Sequence, residues 1–253
     1  HIHYDDWVGL YNYIQYPCAC TSHFGYLERE EMFNGYVNIA NAFAQIKPRV
    51  FCLSEGIKKV YQVLMDIPES NLYVSPNGVD CGSFNCVDTP DYPNASIYLA
   101  KIDYRKRQHL FQSIPSLWYA GNIADERFDK TKNYLGEWSK KHLYKNLTHY
   151  GNLVLLSDGE AHPLVCMEAF AAGLGVVVTE WGKANLDTNK KFITVIPEKH
   201  IGDIEFLEYE IVKNREYSIE HREEILDYAQ KFDWINVVKK HYIPNVKMVL
   251  NEC

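Results

Sequence analysis

The sequence predicts an α/β protein built on parallel sheets, and two observations predict it. The first is a βαβ unit: the apolar run Asn152-Leu153-Val154-Leu155-Leu156, a loop, an apolar helix over 164–172 closed by Gly173, and the β-branched run Val176-Val177-Val178-Thr179. The second is the alternation of short strand patterns with helix patterns along most of the chain, which signals crossover connections rather than hairpins. With 253 residues, 47% of them hydrophobic, the chain can bury one large core or two modest ones.

In order along the chain, 1–6 reads as the end of a strand. A helix is expected over 28–45, a strand over 49–53, a helix over 56–65 and a strand over 71–75. Segment 81–94 holds two prolines, two aspartates and a glycine and reads as a linker. Further strand patterns begin at Ile97 and Ser116, and after the βαβ unit the alternation continues to about Pro197. Helices are expected over 201–213 and 218–231, and 234–250 is amphipathic.

Composition narrows the function classes. A net charge of −7 argues against nucleic-acid binding, which would show a basic stripe. The Gly-x-Gly-x-x-Gly fingerprint is absent, which weighs against a nicotinamide dehydrogenase. Seven scattered cysteines form neither a disulfide framework nor zinc spacing, and reduced thiols in a cytoplasmic protein are the plainer reading. His1 and His3 carry a metal-like spacing, with no third and fourth ligand placed nearby. The many aromatics, nineteen of them tyrosines, offer stacking surfaces but mostly build core.

The chemistry concentrates in Asp158-Gly159-Glu160-Ala161-His162-Pro163-Leu164-Val165-Cys166-Met167-Glu168. Glu160 is expected at the carboxyl end of a strand and Glu168 one to two turns into the following helix. Pro163 fits the first helical position, where a missing N–H costs nothing, so the amides of Leu164 and Val165 stay unpaired at a positive dipole end suited to a phosphate. At about 1.5 Å per residue, Glu168 lies roughly 7 Å along the helix, near the span between a diphosphate and its ribose.

This segment resembles the two-glutamate signature of retaining, nucleotide-sugar-dependent glycosyltransferases of family 4, whose fold is the two-domain glycosyltransferase B type. Other segments resemble the family in the expected order. Ser75-Pro76-Asn77-Gly78-Val79-Asp80 is similar to its turn between the two domains. Ile97-Tyr98-Leu99-Ala100-Lys101-Ile102-Asp103-Tyr104-Arg105-Lys106 is similar to the first strand and loop of the donor domain, where two cations hold the donor diphosphate. Lys101 stands where many members have arginine, and Lys106 matches the second cation better than Arg105 does. Gly121 matches a glycine that lets donor and backbone approach closely, and Thr21-Ser22-His23 is similar to a segment whose histidine faces the transferred sugar.

The resemblance implies a Rossmann-like donor domain over 91–232, part of a second Rossmann-like, acceptor-side domain over 1–90, and a terminal helix over 233–253 that crosses back to the first domain. It implies an amino-terminally truncated, metal-independent hexosyltransferase without a cofactor, whose donor is a UDP- or GDP-sugar. The acceptor is open among glycan, lipid and protein, and peripheral membrane contact is open with it. The implied roles are His23, Glu160, Lys101 and Lys106 for catalysis, and Arg105, Gly121, Pro163, Leu164, Val165 and Glu168 for donor binding. The rival readings are a sugar-nucleotide-binding remnant without turnover, and a phosphorylase or epimerase of the same fold.

Overall fold

The computed structural model describes residues 1–2, 5–23 and 37–251. Contacts divide the chain into two compact units, His1–Asn77 with Gly159–His162 and Trp234–Cys253, and Gly78–Asp158 with Pro163–Asp233.

The first unit holds a parallel sheet of β1 (Cys20–Ser22), β2 (Val50–Cys52) and β3 (Leu72–Val74), in that order. Helices α1 (Val37–Ile46) and α2 (Glu55–Leu64) supply the crossover packing. Ser54 caps α2 by accepting from the Ile57 N–H at 3.2 Å, which explains why the helix starts where it does. Phe43 of α1 and Tyr61 of α2 meet edge to face at 5.0 Å in the core, and the Tyr61 hydroxyl donates to Ser22 Oγ at the end of β1. Among the described residues of the expected strand over 1–6, Ile2 pairs as a bridge to Cys20, and a 3-10 helix runs over Asp5–Tyr13. The part of the 28–45 helix before Val37 lies outside the described residues, as do His3, Tyr4, Phe24 and Gly25. The terminal run from Trp234 passes through a π-helical turn, Val238–Tyr242, into the helix Ile243–Asn251. There Asn245 Nδ2 donates to the Val74 carbonyl at 2.8 Å, and Val249 packs with Ala19, Phe51 and Tyr73.

The second unit is a five-stranded parallel sheet in the order β5-β4-β6-β7-β8, made of β4 (Tyr92–Leu99), β5 (Leu117–Ala120), β6 (Tyr150–Leu155), β7 (Gly175–Thr179) and β8 (Ile193–Ile196). Its helices are α3 (Lys140–Asn146), α4 (Leu164–Ala171), α5 (Ile204–Glu220) and α6 (Arg222–Ala229). Residues of β6 and β7 are buried throughout, as continuous apolar runs in a covered parallel sheet should be. Helix α4 is buried from Cys166 to Ala171, which accounts for its apolar sequence on every side. Phe170 stacks with Phe232 at 6.0 Å and meets Tyr228 edge to face at 5.1 Å, joining α4 to α6. Gly173, at φ +77°, ends α4 with the bonds Gly173 N–H to Phe170 O and Leu174 N–H to Ala169 O.

Several boundaries differ from those the sequence suggests. The units divide at Asn77/Gly78, upstream of 90/91, and the expected linker over 81–94 belongs to the second unit, with β4 already begun at Tyr92. The reason is a tether invisible locally: the buried Arg222 guanidinium donates to the carbonyls of Val87 at 2.5 Å, Thr148 at 2.6 Å and Tyr150 at 3.1 Å. Phe84 packs edge to face on Tyr144, and the Val79 N–H donates to Phe232 O. Helix α5 runs on to Glu220 rather than ending near 213, and Asn214 within it is buried against the sheet, bonded to Asn152, Val176 O and Thr194. None of the described helices is long and apolar enough to cross a membrane.

Gly121, at φ +147°, follows β5 where a Cβ would lie 1.9 Å from the Ala100 carbonyl oxygen. Gly121→Ala should therefore lower stability in urea denaturation by about 3 kcal/mol or more, because both the left-handed backbone and the clash with a backbone atom oppose it.

Candidate functional site

In the second sheet the chain leaves β4 towards β5 on one side and reaches β6 on the other, so the order reverses between β4 and β6. Loops at the carboxyl ends of two strands that diverge in this way form the usual ligand crevice of an open parallel sheet. The basic loop follows β4 and helix α4 follows β6.

The basic loop is closed on itself. The Lys106 N–H donates to the Asp103 backbone oxygen at 3.1 Å and to its Oδ1 at 3.0 Å, and the Lys106 carbonyl accepts from the Tyr98 hydroxyl at 2.5 Å. Gln108 Nε2 donates to the Lys101 carbonyl at 3.0 Å, and the Arg105 carbonyl accepts the Asp158 N–H at 2.8 Å. Lys101, Arg105 and Lys106 thus ride on one pinned loop, with the Lys101 side chain exposed. Gly121 abuts this loop through Ala100, so its demand for glycine is met by a backbone-to-backbone approach.

Helix α4 begins at Leu164, and Pro163 occupies the N-cap in an extended conformation (ψ 107°), one position earlier than expected. The first amides of the helix, those of Leu164 and Val165, still have no acceptor within it. Glu168 is only 6% exposed, and its Oε1 takes the ammonium of Lys140 from the first turn of α3. The sequence does not mark Lys140 as a site residue. Its signal was only the Ser139 cap, which accepts from the His142 N–H at 3.2 Å and starts α3 there.

Arg107 is not marked by the sequence either. It is buried at φ +58°, and its guanidinium binds Asp158 at 2.5 Å and Glu198 at 2.6 Å. The Glu198 N–H in turn donates to Glu180 Oε2 at 3.0 Å, and Thr179 Oγ1 donates to the Ser157 carbonyl at 2.8 Å. Loops after β4, β6, β7 and β8 are joined by these bonds. A second cluster serves the β5 loop. There Arg127 grips Asp125 with two bonds of 2.8 Å, and His109 Nδ1 lies 3.2 Å from Asp125 Oδ2. The Arg127 hydrogen bonds hold the Asp125 carboxyl down at about 2, while burial pushes the His109 imidazole down.

His23 and Glu160 belong to the first unit. His23 follows β1 directly and is half-buried, and Glu160 is half-buried between Gly159 and Ala161, the latter packed on that unit's core. The same short segment carries His162, whose Nδ1 accepts from the Asn77 N–H at 3.1 Å, which fixes the ring proton on Nε2 if the imidazole is neutral. Asn77 Nδ2 reaches the His162 carbonyl at 3.4 Å. The structure therefore gathers Lys101, Arg105 and Lys106 on one loop and keeps Glu168 and the α4 amides at the neighbouring strand end. His23 and Glu160 sit in the other compact unit. Among the described residues, no group of three or more His, Cys, Asp or Glu side chains is arranged to hold a metal ion.

Neither a family model nor a curated protein sequence matches the chain. Solved structures do. Sucrose-phosphate synthase from Thermosynechococcus elongatus superposes with a TM-score of 0.76 at 13% identity, over 99% of this chain and 73% of that one. Anabaena HepE in complex with UDP-glucose gives 0.69 at 13% identity, over 92% and 71%. WaaG, a glycosyltransferase involved in lipopolysaccharide biosynthesis, gives 0.65 at 13% identity, over 87% and 74%. The chain has the glycosyltransferase B fold. At such identities the likeness establishes architecture, and within that architecture the basic loop and α4 lie at the carboxyl ends of the second Rossmann-like sheet.

The Asp125 pair gives a pH signature. A carboxyl held below its unfolded value of about 3.9 adds stability that is present above that pH and lost as pH falls towards about 2. Melting temperatures measured from pH 5 to pH 2 should fall less steeply for Asp125→Asn than for the wild type, and parallel curves would count against the pair.

Proposed function

We propose that the protein binds a nucleoside-diphosphate sugar and transfers the sugar, with retention at the anomeric carbon, to an acceptor hydroxyl. The observation that carries this reading is the pinned loop with Lys101, Arg105 and Lys106 beside the open amides of α4, at the switch point of a parallel sheet. Two cations and a helix amino terminus in that place suit a diphosphate. The nearly buried carboxylate of Glu168, further along the same helix, suits the ribose hydroxyls. Solved structures of the same architecture include HepE with UDP, and with UDP and glucose.

In this reading Lys101 and Lys106, with the amides of Leu164 and Val165, stabilise the negative charge that builds on the leaving diphosphate. Arg105 and Gly121 complete the donor side. Glu160 accepts from the sugar hydroxyls, and His23 lines the sugar and helps to position the acceptor; both roles are carried over from the family resemblance. The bond from the anomeric carbon to the phosphate oxygen breaks, and a bond to the acceptor oxygen forms on the same face. The acceptor proton passes to the departing phosphate. The charge is met by side chains and amides, so a divalent metal is not part of the proposal.

Charge-assisted hydrogen bonds are worth about 1.5–3 kcal/mol each, so Lys101→Ala or Lys106→Ala should weaken diphosphate binding by about ten- to a hundredfold. A thermal-shift titration with UDP, GDP, ADP and their sugars is the direct test, since a ligand at a hundred times its Kd adds about 2.7 kcal/mol of stability. Stabilisation by one base is expected, and no shift with any of them would contradict the proposal. Glu160→Gln should depress transfer while leaving nucleoside-diphosphate binding intact, and His23→Ala should lower turnover more than donor affinity. Wild-type turnover in both variants would remove these residues from the site.

A further inference from the structure

Arg107 is the third of three consecutive basic residues, Arg105-Lys106-Arg107, and the only one of the three turned into the protein interior. Its backbone is left-handed, at φ +58° and ψ 17°, a conformation that carries a cost for any residue with a Cβ. Such an outlier persists only where its surroundings over-determine it. Here they do: Nη2 donates to Asp158 Oδ1 at 2.5 Å and more distantly to Glu198 Oε2 at 3.4 Å, and Nη1 donates to Glu198 Oε1 at 2.6 Å.

We infer that Arg107 is a positioning residue for the diphosphate site, acting without touching the donor. The inference rests on the diphosphate reading of the Lys101 to Lys106 loop. Two effects combine. The left-handed turn at Arg107 reverses the chain so that Gln108 can bond back to the Lys101 carbonyl and close the loop. The guanidinium also pairs with the carboxylates of Asp158 and Glu198 and offsets one of their two charges; both are only partly covered and lie at the same strand ends as the cations. With Arg107, the charged groups Lys101, Asp103, Arg105, Lys106, Arg107, Asp158 and Glu198 leave one net positive charge. Without it they cancel, and the Asp158 and Glu198 carboxylates, having lost the guanidinium between them, would add to the repulsion of an incoming phosphate.

A residue that only braces the fold would weaken every ligand alike, whereas one that sets the phosphate site should act on phosphate alone. The experiment is calorimetric titration at fixed salt with the nucleoside, monophosphate and diphosphate of whichever base the wild type takes among uridine, guanosine and adenosine. The proteins are the wild-type chain, Arg107→Gly and the triple variant Arg107→Gly/Asp158→Asn/Glu198→Gln. Glycine adopts the left-handed turn freely, so the first variant removes the guanidinium and keeps the backbone.

In Arg107→Gly, the affinity gained between nucleoside and diphosphate should shrink by about tenfold or more, equivalent to about 1.4 kcal/mol, while nucleoside affinity stays within about twofold. The triple variant, which removes both carboxylate charges together with the guanidinium, should recover most of that gain. It also carries the measurement if Arg107→Gly alone fails to fold. An unchanged diphosphate gain in Arg107→Gly, an equal loss for nucleoside and diphosphate, or no recovery in the triple variant would overturn the inference. A wild type that binds none of the nucleotides would instead overturn the diphosphate reading, and the inference would fall with it.

Discussion

Four loops leave the carboxyl ends of β4, β6, β7 and β8, and one guanidinium draws them together. Arg107 bonds the loops after β6 and β8 directly, and the loop after β7 joins through the Glu180 carboxylate on the Glu198 amide. Burying an arginine is unfavourable unless its charge is met, and two carboxylates on its terminal nitrogens meet it. The consequence is rigidity where rigidity matters. In the proposed transfer, charge develops on a leaving group, and a site for that works best when its dipoles and cations need not rearrange at the moment of reaction. The loop that carries Lys101, Arg105 and Lys106 is held at Lys101 O, Asp103, Lys106 N, Lys106 O and Arg105 O before any ligand arrives.

The architecture was legible in the sequence because it is written in local signals. Continuous β-branched runs marked β6 and β7, an apolar octet marked α4, and Gly173 marked its end; each lies within a residue or two of its place in the structure. These signals answer to burial and backbone geometry, which depend on neighbours in the chain. The basic loop was legible for the same reason, since its cations follow a strand end directly.

Long-range polar contacts were not legible. Arg222 fastens the segment around Val87, and its identity as an arginine in an acidic helix gives no hint of that partner. Lys140 reaches Glu168 from a helix whose sequence reads as a solvated, lysine-rich turn. Nothing in the sequence sets Arg107 apart from its basic neighbours, and its backbone angle and burial are what distinguish it. Proline and aspartate content made 81–94 look like a linker, although the pull of side chains more than a hundred positions away makes it part of the second unit. Glu160 and Glu168 read as one constellation in the sequence, whereas packing groups the short segment Gly159–His162 with the first unit through Ala161 and the Asn77 bonds to His162.

An architecture that survives at 13% identity is held by apolar positions and caps that many residues can fill, whereas a binding site is held by particular atoms. Lys101 illustrates the difference. A lysine delivers a compact charge on a flexible stem and lacks the planar fork with which an arginine grips a phosphate by two parallel bonds. If its ammonium is to act with directional precision, the precision must come from the backbone that carries it. That backbone is fixed on both sides, at its own carbonyl by Gln108 and through Ala100, whose carbonyl oxygen leaves room only for a glycine at 121. In the proposed diphosphate site the cations supply strength, and the closed loop together with the α4 amides supplies geometry.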